Sequence, residues 1–398
     1  MNVIFLGNVY PNDREAEIIR HSKKGVDNAA NNLQSALLVG LDYYYPNLKV
    51  ITLPAIKSYP LNYTKIKFKK SIFSHKLNTK DYCVGFINIP LIKHISRYFN
   101  SLKEIKDIIQ SDEETIIIIY SIHSPFLKAI YELKKQNSKL KTCLIVPDLP
   151  QYMSDNKNLI YRILKNTDAF LIKKYLKEID SFILLSDNMA NILSIGNRPW
   201  TRVEGIFSGK LIDTKYDQKD LKIILYSGTL AKRYGIANLI DAFCTIDKSN
   251  YRLWICGEGD YKQQIINKLK IDNRIKFWGQ IPFKEILKLQ KQATVLINPR
   301  TSEGEYTKYS FPSKTMEYLA SGTPCIMHRL PGIPSEYFEY VIVAEKEDSE
   351  GLKKTIIEVC SKDTSELKKI GDRASKFILD NKNPVVQVKK IYDIINKL

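Results

Sequence analysis

NPRTSEGEYTKYSFPSKTMEYLASGTP, residues 298–324, writes an anion site and the helix behind it in consecutive positions. Pro312 and Ser313 make a helix start, because proline is tolerated in the first turn and serine caps free amides. Gly322 followed by Pro324 makes the stop. The first turn offers unpaired N–H groups and the positive end of the helix dipole, and Lys314 adds a full charge, so a diphosphate placed there is well held. Glu317 lies one turn deeper on the face of Lys314 by the i, i+3 rule, where a carboxylate can accept both hydroxyls of a ribose. The same spacing also fits an ordinary surface helix with a Lys–Glu pair.

Outward from this stretch, apolar β-branched segments alternate with helical patterns: VIFLG at 3–7, LKVITLP at 48–54, TIIIIYSI at 115–122, LKTCLIVPD at 140–148 and SFILLS at 181–186. That is the rhythm of a parallel α/β sheet. It restarts at LKIILYSG, 221–228, after the polar stretch SGKLIDTKYDQKD at 208–220, which reads as a linker. YRLWICG, RIKFWG, TVLINP, TPCIM and YVIVAE follow. The fold class is therefore α/β with two Rossmann-like domains, 1–208 and 209–380, and a C-terminal helix over 381–398. Asn383 caps that helix, Pro384 opens it, and Val385, Val388, Tyr392 and Ile395 form its apolar side. A nicotinamide dehydrogenase is excluded, since G-x-G-x-x-G is absent: Gly257-Glu258-Gly259 lacks the third glycine and Gly7 stands alone.

Three stretches carry a resemblance: SGTLAKRYGIANLIDAF from Ser227, WICGEGDY from Trp254 and FPSKTMEYLASGTP from Phe311, with FWGQIPFKEILKLQKQATVLINP from Phe277 leading into the last. In this order they resemble the C-terminal half of the retaining GT-B glycosyltransferases of family 4, the bacterial polysaccharide and lipid-linked sugar transferases. The resemblance implies a fold in which the two domains face across a cleft, the first binding the acceptor and the second the nucleotide sugar, with the terminal helix crossing back to the first. It implies donor contacts from Gly228, Thr229, Lys232, Arg233, Gly257, Gln280, Ile281, Tyr309, Ser313, Lys314 and Glu317, and a catalytic role for His123, Arg233, Lys314 and Glu317. Two departures stand out. Tyr309 occupies the place of the first of two glutamates seven residues apart, as in the subgroup with FPSK, so Glu303 or Glu305 becomes the candidate replacement. The arginine that commonly follows the glycine at 228 is missing, which makes Lys232 and Arg233 the candidate diphosphate cations or else two solvated charges before a helix.

Ligands of open α/β sheets sit outside the carboxyl ends of the strands. His123 ends TIIIIYSIH before Ser124-Pro125, where relatives similarly place a histidine near the donor sugar; it also fits a satisfied structural histidine. Asp148, in IVPDLP, is placed to hold an acceptor hydroxyl or to cap the next turn. Gly25, with Lys23 and Lys24, resembles the family's acceptor-side loop, and Asn28 and Asn32 share the following helix face. Glu305 completes the acceptor-side candidates.

At 398 residues the chain suits two domains, and no apolar run approaches the ~18 residues of a membrane span, the longest being strand-sized pieces such as IIIIY at 116–120. The start runs straight into VIFLG, which argues against a secretory signal. Six scattered cysteines read as reduced core residues, and the lone C-x-x-H of Cys325 and His328 has no second ligand pair. No D-x-D triplet is placed as a metal site, and no cofactor is implied. A net charge of +18 calls for an acidic partner: nucleic acid, an anionic membrane face or phosphorylated substrates, the first weakened by the lack of any nucleic-acid signature. Lys, Ile and Asn usage also accounts for much of it. Residues 57–80 hold seven lysines and no acid, with Tyr59, Tyr63, Phe68 and Phe73 among them, and suggest docking on an anionic inner-leaflet surface or a solvated basic loop with tucked-in aromatics.

These readings converge on a metal-independent transferase that is cytoplasmic and peripheral to the plasma membrane. It moves a sugar from a nucleotide diphosphate sugar, UDP-linked before GDP-linked, to an acceptor hydroxyl. A lipid-linked glycan in capsule, O-antigen or exopolysaccharide synthesis is the expected acceptor. A non-hydrolysing nucleotide-sugar epimerase shares the architecture, and a noncatalytic nucleic-acid binder shares the charge.

Overall fold

The computed structural model describes residues 2–23, 25–109, 113–149, 159–209 and 221–398. It divides into two compact units, Met1–Ile206 with Pro384–Leu398, and Phe207–Asn383. Residues 210–220 of the expected linker, and Lys24, lie outside the described residues.

In chain order the first unit carries β1 (Asn2–Gly7), α1 (Glu15–His21), α2 (Asn28–Tyr44), β2 (Lys49–Thr52), β3 (Lys67–Phe68), β4 (Ser71–Phe73), β5 (Asp81–Cys83), β6 (Phe86–Ile87), α3 (Ile92–Ile108), β7 (Thr115–Tyr120), α4 (Ser124–Lys134), β8 (Leu140–Val146), α5 (Leu159–Leu176), β9 (Ser181–Leu184), α6 (Met189–Ile192) and β10 (Trp200–Arg202). Its eight-stranded sheet runs β10-β9-β8-β7-β1-β2-β5-β4, parallel except for β4 against β5. Every residue of β7 is buried, as expected of a strand covered on both faces. The inner order β5-β2-β1-β7-β8-β9 is doubly wound, so the winding reverses between β1 and β7 and the ligand crevice belongs at their carboxyl ends.

The second unit carries β11 (Lys222–Ser227), α7 (Ile236–Cys244), β12 (Tyr251–Cys256), α8 (Lys262–Leu269), β13 (Ile275–Gly279), α9 (Phe283–Gln292), β14 (Val295–Asn298), α10 (Lys314–Ala320), β15 (Cys325–Met327), β16 (Ile342–Val343), α11 (Ser349–Ser361) and α12 (Thr364–Asn381). The six strands run β13-β12-β11-β14-β15-β16, all parallel. This is the dinucleotide-fold order, with its reversal between β11 and β14. Leu239, Ile240 and Phe243 of α7 pack with Leu352, Ile356 and Val359 of α11 over the sheet. Each such fully buried side chain contributes about 1.5–3 kcal/mol relative to exposure.

The last helix, α13 (Pro384–Ile395), packs on α2 within the first unit. Val388, Ile391 and Ile395 are buried, and Tyr392 stacks on Tyr44 at 4.9 Å between ring centroids. The Tyr44 hydroxyl donates to the Val385 carbonyl at 3.2 Å.

The basic segment departs from one expectation. Tyr63, Phe68 and Phe73 are buried, Phe68 stacking on Phe86 across the antiparallel β3–β6 ribbon, so these aromatics present nothing to a membrane. Its lysines are nevertheless exposed at 57, 65, 67, 69, 70 and 80. Ile66, Ile72 and Ile87 point outward beside them, as do Ile92, Ile95 and Phe99 of α3. Ser96 of α3 accepts the Ile87 amide at 3.0 Å, which ties this helix to the ribbon.

Candidate functional site

In the second unit, the carboxyl ends of β11, β12 and β13 are stitched together on one side of the reversal. The Gly228 amide donates to the Cys256 carbonyl at 3.0 Å, and the Gly257 amide donates to the Gly279 carbonyl at 2.8 Å. A Cβ at Gly257, whose φ is 139°, would stand 1.8 Å from the Gly228 carbonyl oxygen. The Gly-Glu-Gly run therefore serves close backbone packing of β11 on β12. The Gly228 amide is thereby committed to the Cys256 carbonyl. Gln280, exposed, and Ile281, half-buried, follow directly after β13.

Thr229, Lys232 and Arg233 are exposed on the loop after β11, the two cations on a 3₁₀ turn over Lys232–Tyr234. Gly235 closes that turn at φ 79°, and a Cβ there would lie 1.9 Å from the Pro299 carbonyl oxygen. The loop after β11 is thus pressed against the chain leaving β14, the other strand of the reversal. There sits Arg300, a residue the sequence reading passed over. It is 8% exposed, its guanidinium lies 5.3 Å from the Tyr234 ring centroid and 4.8 Å from that of Tyr306, and it donates to Ser310 Oγ at 2.9 Å.

Between Arg300 and α10 the chain makes a self-bonded loop. Thr307 Oγ1 donates to the Gly304 carbonyl at 2.7 Å, and the Ser302 amide donates to Glu347 at 2.8 Å. Glu303 and Glu305 are exposed on this loop, and Tyr309 is half-buried at its end. Ser313 precedes α10 without a side-chain capping bond; the first turn is closed instead by the Thr315 amide on the Pro312 carbonyl at 2.9 Å. Lys314 Nζ donates to Glu317 Oε2 at 2.9 Å, both side chains half-buried. Burial pushes the Cys256 thiol up to about 12, partly offset by the positive charge of Lys314, which stands toward the end of β12.

The next residue explains why α10 sits where it does. Tyr318 Oη accepts the Ser227 amide at 2.8 Å and donates to the Ser227 carbonyl at 3.0 Å. This buried phenol docks the helix on the last residue of β11, so Lys314 and Glu317 stand on the helix held against the stitched rim. No sequence signal marked it, because a tyrosine at a buried helix position reads as ordinary core.

In the first unit the reversal is bridged by Asn8, which follows β1. Its Nδ2 donates to the Leu53 carbonyl at 2.8 Å, and its Oδ1 accepts from Ser121 Oγ at 3.4 Å. Gln34 Oε1 accepts the Asn8 amide at 2.6 Å and Asn31 Oδ1 the Tyr10 amide at 2.8 Å. The amides of α2 that face the strand ends are therefore Asn31 and Gln34, whereas Asn28 and Asn32 are exposed. Gly25, at φ 68°, lies in an exposed loop with open space around its Cα, and Lys23 donates to the Pro60 carbonyl at 2.9 Å.

His123 precedes α4 with Nδ1 unbonded and Nε2 3.4 Å from Arg97 Nη1. Burial, followed by the positive charges of Arg97, His94 and Lys93, holds its imidazole well below the ordinary range, so it is neutral at pH 7. Asp148 follows β8 with an exposed edge. Desolvation and then the nearby charge of Asp27 push its carboxyl up to about 6. His328 Nδ1 bonds the Ala344 carbonyl at 2.9 Å, and among the described residues no group of His, Cys, Asp and Glu side chains has the arrangement of a metal site. Nor is any described helix long and apolar enough to cross a membrane.

Residues 211–377 match the model of the family described as Glycosyl transferases group 1. No curated protein matches the chain. Among solved structures, sucrose-phosphate synthase from Thermosynechococcus elongatus is similar at 16% identity and TM-score 0.66, with 100% of both chains covered. The lipopolysaccharide outer core galactosyltransferase WaaB, in its apo form, is similar at 16% identity and TM-score 0.65, again over 100% of both chains. Anabaena HepE in complex with UDP is similar at 15% identity and TM-score 0.63 over 100% of both. Likeness at this level shows the fold, which is GT-B with two Rossmann-like domains. The family match over 211–377 supports a glycosyl transfer function.

Proposed function

We propose that the chain is a retaining, family 4 type glycosyltransferase that moves a sugar from a nucleotide diphosphate sugar to an acceptor hydroxyl. The observation that carries this reading is the Lys314–Glu317 pair on a helix hooked by Tyr318 to the end of β11, at the reversal of a dinucleotide-type sheet. Glu317 accepts the ribose hydroxyls. Lys314, Lys232 and Arg233 face the diphosphate and stabilise the negative charge that grows on it as the glycosidic bond breaks. Three cationic side chains make that compensation without a metal. The leaving phosphate takes the acceptor's proton in a front-face attack, so no carboxylate base is required. UDP is the favoured nucleotide, and the complex of HepE with UDP supports it.

His123 stands near the donor sugar, Asp148 lines the acceptor side, and Glu305, also on that side, is the candidate for the carboxylate whose place Tyr309 takes. The acceptor is a lipid-linked glycan of capsule, O-antigen or exopolysaccharide type. Exposed lysines of residues 57–80 and the outward Ile95 and Phe99 of α3 hold the protein on the anionic inner leaflet where such an acceptor resides.

The test is nucleotide release from a panel of UDP-, GDP- and ADP-sugars, with and without a lipid-linked acceptor. Release that requires acceptor, with sugar recovered on it, is the expected result. Conversion of the sugar nucleotide without acceptor would make the chain an epimerase, and release from no donor would remove the enzymatic reading.

A further inference from the structure

Helix α3 buries two cations one turn apart. Lys93 is 7% exposed and Arg97 6%, and both turn toward the segment that follows β2. Lys93 Nζ donates to the Ile56 carbonyl at 2.5 Å, and Arg97 Nη2 donates to the Pro54 carbonyl at 2.9 Å. The Arg97 guanidinium lies 4.1 Å from the Phe86 ring centroid. His123 joins them from the carboxyl end of β7. Among the described residues no carboxylate is paired with any of the three. Arg97 Nε and His123 Nδ1 are buried without a hydrogen-bond partner.

Two buried like charges beside an imidazole, with no anion among them, form a costly arrangement. The carbonyls of Pro54 and Ile56 each take one N–H, a small share of the donors that Lys and Arg offer. The cost shows in the groups themselves: burial, then repulsion from Arg97, holds Lys93 down at about 7, and burial holds Arg97 at about 9. An oxyanion seated among them would reverse it, since charge-assisted bonds to Lys and Arg are the strong ones. Ser121–Ser124, which follow β7 at the carboxyl end of the sheet and include His123, are half-buried, and this is the end at which a doubly wound fold binds its ligand.

We propose that Lys93, Arg97 and His123 form a phosphate-binding site in the first unit, and that the phosphate is carried by the acceptor. The two cations match a phosphate dianion, and His123 Nδ1–H with Arg97 Nε–H supplies the remaining donors. Only the assignment of the phosphate to an acceptor rests on the glycosyltransferase reading; the site itself does not.

The experiment titrates inorganic phosphate into the full chain and follows the imidazole ¹⁵N resonances of its five histidines, with His123 assigned from a His123→Asn variant. Saturable movement of the His123 signals is expected, absent with sodium chloride at equal ionic strength and with acetate. Lys93→Met is expected to weaken it about 10–100-fold, the loss of one charged hydrogen bond, while Lys314→Gln in the second unit leaves it unchanged. Lack of saturable movement in the folded parent protein overturns the site, and equal response to acetate overturns its assignment to phosphate. Should Lys93→Met fail to fold, the parent titration and the Lys314→Gln comparison still decide. The readout needs no turnover, so it stands apart from the outcome of the donor panel.

Discussion

Tyr318 and Ser227 are bonded twice, phenol to amide and phenol to carbonyl, across the junction of α10 and β11. Removing the hydroxyl leaves two backbone groups at a buried position without this partner. Tyr318→Phe is expected to lower stability by about 1–3 kcal/mol in urea unfolding and to raise the KM for the sugar nucleotide, because the helix carrying Lys314 and Glu317 loses its anchor. Unchanged unfolding together with an unchanged KM would show that the helix is held by packing alone.

Chelation is expected to leave transfer intact. Lys232, Arg233 and Lys314 carry the charge compensation in this account, so treatment with EDTA should alter the rate by less than about twofold. A complete loss restored by magnesium would contradict it.

His75 makes the stability of the first unit depend on pH. Burial alone would depress its imidazole, but hydrogen bonds to Asp42 and Asp81 outweigh burial and raise it to about 9 from the ordinary 6.5. The folded state therefore holds a proton that the unfolded chain has released between these values. The contribution is fully present below pH 6.5 and is lost as pH rises through 9, on the order of 3 kcal/mol in all. Urea midpoints should fall between pH 6.5 and 9.5 in the parent, and fall less in His75→Gln. Parallel pH profiles of the two would refute this role.

Liposome sedimentation reads the membrane contact. Binding is expected to require anionic lipid, to weaken with salt and to fall at least tenfold when Lys65, Lys67, Lys69 and Lys70 become glutamine. Ile95→Ser with Phe99→Ser should weaken it further. Equal binding to neutral and anionic vesicles would exclude the basic segment as the contact.

The parallel sheets were legible because strands such as Ile116–Tyr120 and Ile223–Ser227 are buried on both faces and so carry unbroken apolar runs. The β3–β6 ribbon and the edge strand β10 were not, being two or three residues long. In the candidate site, Lys314 and Glu317 were visible from helix spacing, whereas the partner that seats their helix, Tyr318, is distant in sequence from Ser227. Arg300 was hidden for a similar reason, since its rings come from Tyr234 and Tyr306. On α2 the shared face of Asn28 and Asn32 was legible and is exposed, while the amides turned to the strand ends, Gln34 and Asn31, are reached by stepping back from the buried Leu37, Leu38 and Leu41. The aromatics of the basic segment are buried at three separate places, Phe68 in the β3–β6 ribbon, Phe73 on the edge strand β4 and Tyr63 against His21, pairings that a lysine-rich composition conceals.

The central claim is that Glu317 and Arg233 hold the donor and its departing charge. Its most direct test is transfer by Glu317→Ala and Arg233→Ala, singly and together, with thermal unfolding measured on the same samples. Each variant is expected to unfold within a few degrees of the parent and to lose roughly 10²–10³ in turnover. A double variant that is folded and transfers sugar at a near-parental rate would contradict the site and the mechanism built on it.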